Sequence, residues 1–475
     1  MMEMKSVENY NFIIKVLRLQ NFRRFHEKQF EFSPQMNVFI GKNASGKTSV
    51  LEAMTIIAGA YLSSFKQHVP SRFVQNISDQ DVFLKGQIEN IFLGRTVIRK
   101  NKGVLNFIGP AETVQQFPCQ VEAEILWNHK LCSCKRALEK TGGRTKFIGE
   151  NPFRNLVQDW EQVVALNDGS DEKYIFPLVL YLSSARLWNE NKGKEMTALP
   201  QRFDAYQRCL DSKRSSQMAF EYLRLLQMIA VEDNQGKSYD EYNEILGALQ
   251  KAIADELKPG QRLKFSSRFG EIVLENPDGA MLRFNNLSDG YRNVIKIVAD
   301  IAARMCILNP YLGKETLQKT PGIVMIDELD LSLHPTWQKR IVRILKELFP
   351  KVQFFCATHS PFIIQSLEPG ELIALDQEID SPYSGRSIED IAEDIMQVST
   401  PQYSEKKQEM FQATQDFLVA LKTAASSEDL KKLRERMDLL QAQYSDNPAY
   451  YALLKMKLLE KEAILHATGE QGDKS

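Results

Sequence analysis

Cysteine, long apolar runs and net charge are all scarce in this sequence, and each scarcity argues against a class of protein. The 475 residues include 6 cysteines, without the paired spacing of a zinc or redox site, which favours reduced thiols over a disulfide framework. The longest apolar stretch, residues 174–182, suits a buried strand and is too short for a membrane helix. The start shows no signal-peptide pattern. We therefore expect a cytoplasmic protein with no membrane partner.

The charge balance does not indicate a nucleic-acid-binding protein. The formal net charge is −1, with 25% charged and 43% hydrophobic residues, as in an ordinary globular chain. Basic clusters occur at residues 95–102 and 135–146. A solvated hairpin face explains these clusters more readily than contact with DNA does. Length alone allows about three domains.

A phosphate-binding loop follows a short apolar strand. Residues 41–48 read GKNASGKT and match the pattern G-x-x-x-x-G-K-[ST]. Backbone N–H groups of such a loop and the start of the next helix bind phosphate oxygens, so we expect ATP here. The lysine neutralises the β- and γ-phosphates, and the last hydroxyl, Thr48, is expected to bind Mg²⁺. The predicted nucleotide contacts are Gly41, Lys42, Asn43, Ala44, Ser45, Gly46, Lys47, Thr48 and Ser49.

The order of predicted elements indicates an α/β fold with a β-rich lobe. Residues 12–40 read as two strands and a turn, and residues 82–148 as further strands. Residues 203–257 read as helices, and strand and helix alternate from about 287 to 378. The predicted segments are an N-terminal ATPase lobe (1–200), a helical insertion (201–260), a C-terminal ATPase lobe (261–380) and a helical tail (381–475).

Motifs in the second half supply groups that the loop lacks. Residues 288–290, Ser-Asp-Gly, precede a long amphipathic helix whose start could bind an anion, although a plain N-cap alone explains them better. An apolar strand then ends at Asp327 and Glu328, which suit a magnesium ligand and a base for water. A further strand ends near His359, at the edge where α/β sheets bind ligands.

This order of motifs resembles the ATP-binding-cassette heads of SMC, RecF and related DNA-linked ATPases. The resemblance implies a β-rich lobe, a mixed or parallel sheet with helices, and ATP bound between two heads. The sequence LSDGYR stands where LSGGQ is commoner in that family. The resemblance assigns the signature contact with the γ-phosphate of a second subunit to Ser288, Asp289 and Gly290, magnesium to Asp327, the catalytic base to Glu328 and the switch to His359.

The opening strand extends the resemblance. Its Asn-Phe-Arg stretch is similar to the part of RecF-type heads near the nucleotide base, which makes Arg23 a predicted nucleotide contact. The glutamine of such heads is not identified, and Gln75 and Gln80 are the candidates. The insertion is short and lacks the sustained heptads of an SMC coiled coil. The sequence around His359 is RecF-like or OLD-like rather than transporter-like.

The tail reads as three helices. Leu430, Leu433, Met437 and Leu440 line one face of the second helix, and packing against the head or a partner surface would explain them equally well. The whole arrangement resembles PtuA, the ATPase of Septu-type and retron-linked antiphage systems. In that family the ATPase assembles as head-to-tail dimers or larger, and works with a separate HNH nuclease, PtuB.

The resemblance implies an ATP-binding, slowly hydrolysing regulator of a partner HNH nuclease in bacterial antiphage defence. DNA, or a retron reverse transcriptase with its msDNA, is a further candidate partner. The alternative is a RecF-like DNA-repair ATPase whose ATP state controls its own DNA binding, which the basic clusters mildly favour. The sequence has no clustered histidines and carboxylates outside the ATP motifs, so we predict no nuclease centre of its own.

Overall fold

The computed structural model divides into two compact units, which we call the head unit (Met1–Ile391) and the tail unit (Ala392–Ser475). The limits predicted at residues 200, 260 and 380 stay predictions. The residues that the structure describes are 12–65, 67–86, 97–101, 104–108, 113–127, 130–155, 157–158, 174–187, 196–211, 217–232, 237–254, 257, 259–266, 268–377, 383–424, 427–443 and 448–469.

The described elements follow the predicted order. The strands are β1 (Phe12–Phe22), β2 (Phe25–Glu31), β3 (Met36–Ile40), β4 (Leu84–Gly86), β5 (Val97–Asn101), β6 (Val104–Ile108), β7 (Thr113–Gln115), β8 (Cys119–Trp127), β9 (Lys130–Leu138), β10 (Lys146–Phe147), β11 (Leu178–Leu182), β12 (Arg262–Ser266), β13 (Glu271–Glu275), β14 (Met281–Arg283), β15 (Gly322–Ile326), β16 (Val352–Ala357) and β17 (Leu372–Ala374). The α-helices of the head unit are α1 (Lys47–Leu62), α2 (Gln217–Glu232), α3 (Lys237–Ala252), α4 (Asp289–Leu308), α5 (Thr316–Lys319), α6 (Pro335–Gln338), α7 (Ile341–Leu348), α8 (Pro361–Gln365) and α9 (Ile388–Asp390).

An antiparallel sheet of order β10-β9-β8-β1-β2 forms the β-rich lobe. Along β8 the residues alternate between buried and half-buried, as expected for a sheet with one face on the core. The buried Arg136 of β9 donates to the carbonyl of Ile56 at 3.2 Å and so joins this sheet to α1. The basic cluster at residues 95–102 falls on the β5–β6 hairpin, with residues 95, 96 and 102 outside the described part.

The strand prediction for residues 12–40 was wrong in number, because three strands form instead of two. A tight turn at Arg23, whose φ is 51°, returns the chain at once into β2, which pairs with β1. The polar residues of β2 hid this strand from the apolar pattern. Pro34, which has no N–H to give to a ladder, lies between β2 and β3.

A parallel sheet of order β11-β15-β16-β3-β17 forms the centre of the head unit. All residues of β3, β11, β15 and β16 are buried, which explains why these strands are apolar except for Asn37 and Gln353. The predicted α/β fold, with a β-rich lobe, a parallel sheet and helices, is confirmed. Because parallel strands end at the same edge, the chain segments that follow these strands meet there.

The tail unit is a group of three helices, α10 (Glu405–Thr423), α11 (Ser427–Gln443) and α12 (Pro448–Gly469). The apolar face predicted on α11 is buried within this unit, against side chains of α10 and α12 such as Phe417 and Leu454. Packing among the tail helices therefore explains it. Among the described residues, no helix has both the length and the apolar character needed to cross a membrane.

Candidate nucleotide-binding site

The phosphate-binding loop leaves β3 and enters α1 in a conformation that requires glycine. Gly46, the N-cap of α1, has φ 100°, in the region that side chains disfavour. A Cβ at this position would lie 2.7 Å from Phe25 Cζ and 2.7 Å from Arg24 Cδ. Ala44 also has a positive φ of 63°. The β1–β2 turn thus packs against the loop and holds its shape.

Lys47 is folded back onto the loop that precedes it. Its Nζ donates to the carbonyl oxygens of Gly41 at 2.7 Å and Lys42 at 3.2 Å, and the residue is only 8% exposed. Burial lowers the pKa of Lys47, while the carboxylates of Asp376 and Asp327 act in the opposite direction. A buried ammonium with neutral oxygen partners can accommodate an anion, which fits a phosphate in this loop.

Thr48 and Asp327 bring two oxygen-bearing side chains together from opposite halves of the sequence. Thr48 Oγ1 donates to Asp327 Oδ2 at 3.1 Å, with Oδ1 at 3.3 Å. Asp327 is 6% exposed, and burial raises its pKa, against the hydrogen bond from Thr48 and the charge of Arg186. A hydroxyl beside a buried carboxylate is a donor set that fits Mg²⁺, which prefers oxygen ligands.

Glu328 follows Asp327 with its backbone in an uncommon conformation. Its φ is 48°, where residues other than glycine are rare, and its side chain is exposed. Asp330 accepts hydrogen bonds from Thr358 Oγ1 and from the backbone N–H of His359 at 3.2 Å. The turn after β15 is therefore tied to the turn after β16. His359 is exposed at the same edge of the sheet.

The predicted signature lies at the start of α4. Ser288 is the N-cap by position, but its side chain makes no capping hydrogen bond, so the prediction that its hydroxyl caps the helix was wrong. Ser288 and Asp289 are exposed, and Asp289 forms an ion pair with Arg292. Gly290 is buried, and a Cβ there would lie 3.3 Å from the carbonyl oxygen of Ser332. The first turn of α4 therefore approaches the turn after β15 closely.

Arg23 lies in a network of carboxylates next to the loop helix. It forms ion pairs with Glu52 of α1 and with Asp81, the latter at 2.8 Å. These groups line a cavity of about 240 Å³ that also includes both glutamine candidates, Gln75 and Gln80. Gln75 Nε2 donates to the carbonyl of Leu210 at 3.2 Å. A nucleotide contact by Arg23 stays a prediction.

The structure brings other side chains to the loop that the sequence pattern did not indicate. The guanidinium of Arg24 contacts the carbonyl of Ala44, and Asp376, after β17, accepts a hydrogen bond from the backbone N–H of Lys42 at 2.8 Å. Arg24 and Asp376 lie 3.9 Å apart as an ion pair. A charged residue just after an apolar strand was the available signal for Asp376. Asp376 reaches the loop because β17 lies beside β3.

Known families and proteins match this chain over different portions. A family model described as an AAA domain matches residues 17–257, about half of the chain, and a second AAA-domain model matches residues 177–365. The protein named "Retron Ec83 probable ATPase", from Escherichia coli, is 23% identical over 464 residues, which cover 90% of this chain and 84% of that protein.

Shorter alignments reach higher identity. The protein named "Retron Vc95 probable ATPase", from Vibrio cholerae serotype O1 biovar El Tor, is 35% identical over 160 residues, 32% of this chain and 30% of that protein. "Septu protein PtuA" from Bacillus thuringiensis is 31% identical over 150 residues, 28% of this chain and 38% of that protein. These two alignments thus span less than half of the relatives' own lengths.

Solved structures give a weak overall similarity. An SMC head domain from Thermotoga maritima has a TM-score of 0.38 at 14% identity, and covers 76% of this chain and 94% of that one. The recombination mediator protein RecF-ATPrS has a TM-score of 0.36 at 12% identity, covering 77% of this chain and 99% of that one.

Proposed function

Since this chain belongs to the AAA-domain family, we propose that it is an ATPase whose nucleotide state controls a partner HNH nuclease in bacterial antiphage defence. The proposal includes slow hydrolysis of ATP with Mg²⁺, in the cytoplasm. The observation that carries it is the 3.1 Å contact between Thr48 Oγ1 and Asp327 Oδ2. At this contact, two motifs far apart in the sequence would supply a phosphate loop and a metal ligand to one site.

Each group at the edge of the parallel sheet has a chemical role in this proposal. Backbone N–H groups of residues 43–49 and the ammonium of Lys47 bind the phosphates. Thr48 and Asp327 would hold Mg²⁺, which when bound neutralises charge on the β- and γ-phosphates. Glu328 orients a water molecule and accepts its proton, and His359 acts as the switch residue at the same edge of the sheet.

We propose that two heads associate with each loop facing the α4 start of the other. This is supported by Ser288, whose exposed hydroxyl does not cap its own helix and is free to contact a phosphate bound by a second copy. Residues 288–290 would then complete the site of the partner. The N-terminal end of α4 carries partial positive charge, which favours that contact.

The defence role is supported by relatives named for retrons and for Septu, and the nuclease partner is what the resemblance to PtuA-type ATPases implies. An HNH nuclease of the PtuB type, DNA, or a retron reverse transcriptase with msDNA would be the macromolecules that this chain meets. The described residues 12–65 and 268–377 carry the ATP motifs. In this role the partner cleaves DNA and this chain does not.

Mixing two defective variants tests the two-head site. Lys47→Ala removes the phosphate charge in one site, and Ser288→Arg blocks the contact given to the other. In a mixed dimer both defects can fall in one site and leave the second intact. We expect each variant to be inactive alone and turnover to return in the mixture. No recovery at any mixing ratio would count against the two-head model.

A plasmid-cleavage assay tests the regulatory role. The purified chain is incubated with plasmid, Mg²⁺ or Mn²⁺, and ATP, alone and together with its co-purified HNH nuclease. We expect cleavage only with the nuclease, and a change in that cleavage on Lys47→Ala. Cleavage by the chain alone, lost on Glu328→Gln, would refute the regulator role. ATP-dependent DNA binding by the chain alone, without effect on a nuclease, would favour the RecF-like alternative.

A further inference from the structure

A buried arginine follows β11 and contacts the backbone of the turn after β15, residues 327–332, which carries the proposed base and which we call the catalytic turn. Arg186 is 2% exposed and lies in the single-turn 3₁₀ helix Ser184–Leu187. Its Nη1 donates to the carbonyls of Ser183 at 3.1 Å and Asp327 at 2.6 Å, and its Nη2 to the carbonyl of Glu328 at 2.7 Å. Burial lowers the pKa of Arg186 to about 10, so the guanidinium is charged at neutral pH.

The remaining direction of the guanidinium points to α4. Arg186 Nε donates to Oδ1 of Asn293 at 3.0 Å, and Asn293 Nδ2 donates to the carbonyl of Leu331 at 2.7 Å. Asn293 is fully buried, in the helix that begins with the predicted signature. A buried amide is unfavourable unless its groups are hydrogen-bonded. The oxygen and the nitrogen of the Asn293 amide are both hydrogen-bonded.

These contacts clamp a turn that has an uncommon backbone. Glu328 and Ser332 have φ values of 48° and 58°, which persist only where surrounding groups hold them. The acceptors at Asp327, Glu328 and Leu331 span that turn. Gly290, at the start of α4, is the second point of close approach to it, because a Cβ added there would lie 3.3 Å from the Ser332 carbonyl. A displacement of α4 would therefore be felt at the backbone of Glu328.

We propose that Arg186 and Asn293 are positioning residues that connect the start of α4 to the backbone of Glu328. Occupation of the α4 start by a phosphate of the second head then fixes the turn in which Glu328 faces the water. Neither side chain touches nucleotide or water in this role. The inference rests on the proposed ATPase function and adds to it a physical route between the signature and the base.

The geometry makes specific substitutions informative. Lysine keeps the charge of Arg186 but, as a single ammonium, cannot reach four acceptors arranged around a planar guanidinium. Asn293→Asp keeps the acceptor for Arg186 and replaces the donor to the catalytic turn by an oxygen. Arg304→Lys is the matched control. Arg304 is equally buried on α4, but it pairs with Asp300 at 3.1 Å and donates to the carbonyl of Ala205, outside the catalytic turn.

The experiment measures ATP affinity, kcat and the unfolding temperature of the full chain for each variant. We expect Arg186→Lys and Asn293→Asp to lower kcat by at least about tenfold with ATP affinity within about twofold of the parent chain, as expected when an interaction acts on the transition state alone. The kcat of the double variant should be no lower than that of the less active single variant, since the effects of residues that act as one unit are not additive.

Several results would overturn the inference. One is a kcat of Asn293→Asp within twofold of the parent while ATP still binds. Another is an equal loss of kcat in Arg304→Lys when its unfolding temperature falls as much as that of the two test variants. The effect would then be explained by general destabilisation. If the parent chain shows no ATP turnover that depends on Glu328, both the proposed function and this inference are refuted. If the parent chain hydrolyses ATP and neither substitution changes kcat, the connection through Arg186 and Asn293 is refuted while the proposed function stands.

Discussion

The head unit and the tail unit bury different kinds of side chain. At the carboxyl edge of its parallel sheet the head unit buries polar groups, among them Lys47, Arg186, Asn293 and Asp327. Among the described residues of the tail unit, every buried side chain is hydrophobic, and Phe417 and Leu454 are fully buried. Buried polar groups are unfavourable unless paired, whereas apolar burial stabilises directly.

The proposed nucleotide site therefore lies in the part of the molecule where buried polar groups depend on pairing. Polar groups of the sheet edge have specific partners in the contacts of Thr48 with Asp327 and of Arg186 with Asn293, whereas the buried hydroxyl of Ser45 has no hydrogen-bond partner among the described residues. The helices of the tail unit require only that apolar residues recur on one face. Substitutions in the two units should therefore separate activity from stability.

The largest expected effect is on the phosphate-binding loop. Lys47→Ala should weaken ATP binding by about 100-fold or more, because it removes the buried positive charge from the proposed phosphate site. Titration with a labelled nucleotide measures this. Lys432→Ala, which removes an exposed lysine of the tail unit that pairs with Glu428, is the control and should bind ATP normally. Equal affinity in both variants would contradict the loop assignment.

The next largest effect is a loss of ATP turnover with no loss of ATP binding. Glu328→Gln should lower ATP hydrolysis by about 100-fold or more and leave ATP affinity intact, because an amide keeps the shape but accepts no proton. With ATP and Mg²⁺, size-exclusion chromatography should show an associated form that persists longer than in the parent chain. Normal hydrolysis by this variant would mean that Glu328 is not the base.

A core substitution in the tail unit should show the opposite pattern. Phe417→Ala should lower the free energy of unfolding of this unit by about 3–5 kcal/mol, the usual effect of truncating a buried aromatic residue. Affinity for ATP should not change. The matched control is Phe411→Ala on the same helix, where the side chain is 41% exposed and the loss should be small. Denaturant unfolding and nucleotide titration test both statements, and reduced ATP affinity in Phe417→Ala alone would show that the units are not independent.

The smallest effect is a gain in stability from a site residue. Burial raises the pKa of Asp327 above its ordinary value of 3.8, so the folded chain holds this proton more tightly than the unfolded one. Stability should therefore fall as the pH rises through the raised pKa, and charged Asp327 is unfavourable at neutral pH. Asp327→Asn should slightly raise the Tm of the nucleotide-free chain at pH 7, because the amide brings no charge into the buried position.

Scanning calorimetry at pH 7 and pH 4 checks this prediction. The difference in Tm between the parent chain and Asp327→Asn should shrink at the lower pH, because the carboxyl is then closer to neutral. The same variant should lose Mg²⁺-dependent ATP turnover. A lower Tm at pH 7 would show that the interactions of the charged carboxylate with Thr48 and Arg186 outweigh the burial of the charge.

Features that depend on neighbouring residues could be predicted from the sequence. The loop at residues 41–48 is contiguous, and its glycines and its lysine carry the pattern by themselves. The strand that ends at Ile326 is fully apolar, and the one that ends at Ala357 is apolar except for Gln353, because both faces of a parallel sheet are covered. The tail face of Leu430 and Leu433 repeated at helical spacing, although the sequence did not say what covers it.

Other features depended on strand order, which the pattern does not encode. The β1–β2 turn brings Arg24 against the loop while its neighbour Arg23 pairs with Glu52 and Asp81, and adjacent residues of a turn cannot be told apart by composition. Ser288 occupies a capping position without using its hydroxyl to cap, because cap geometry is set by the approach of the preceding chain.

By itself, the sequence determined the α/β class, the phosphate loop and the residues that end each buried strand, because periodicity and consecutive spacing are local properties. Only the tertiary structure decided that Thr48 meets Asp327 and that Arg186 joins Asn293 to the backbone of Glu328. The pairing of β15 between β11 and β16 brings these distant segments to one edge. Hydrogen bonds act over about 3 Å, so the partners could be identified only once the strand order was known.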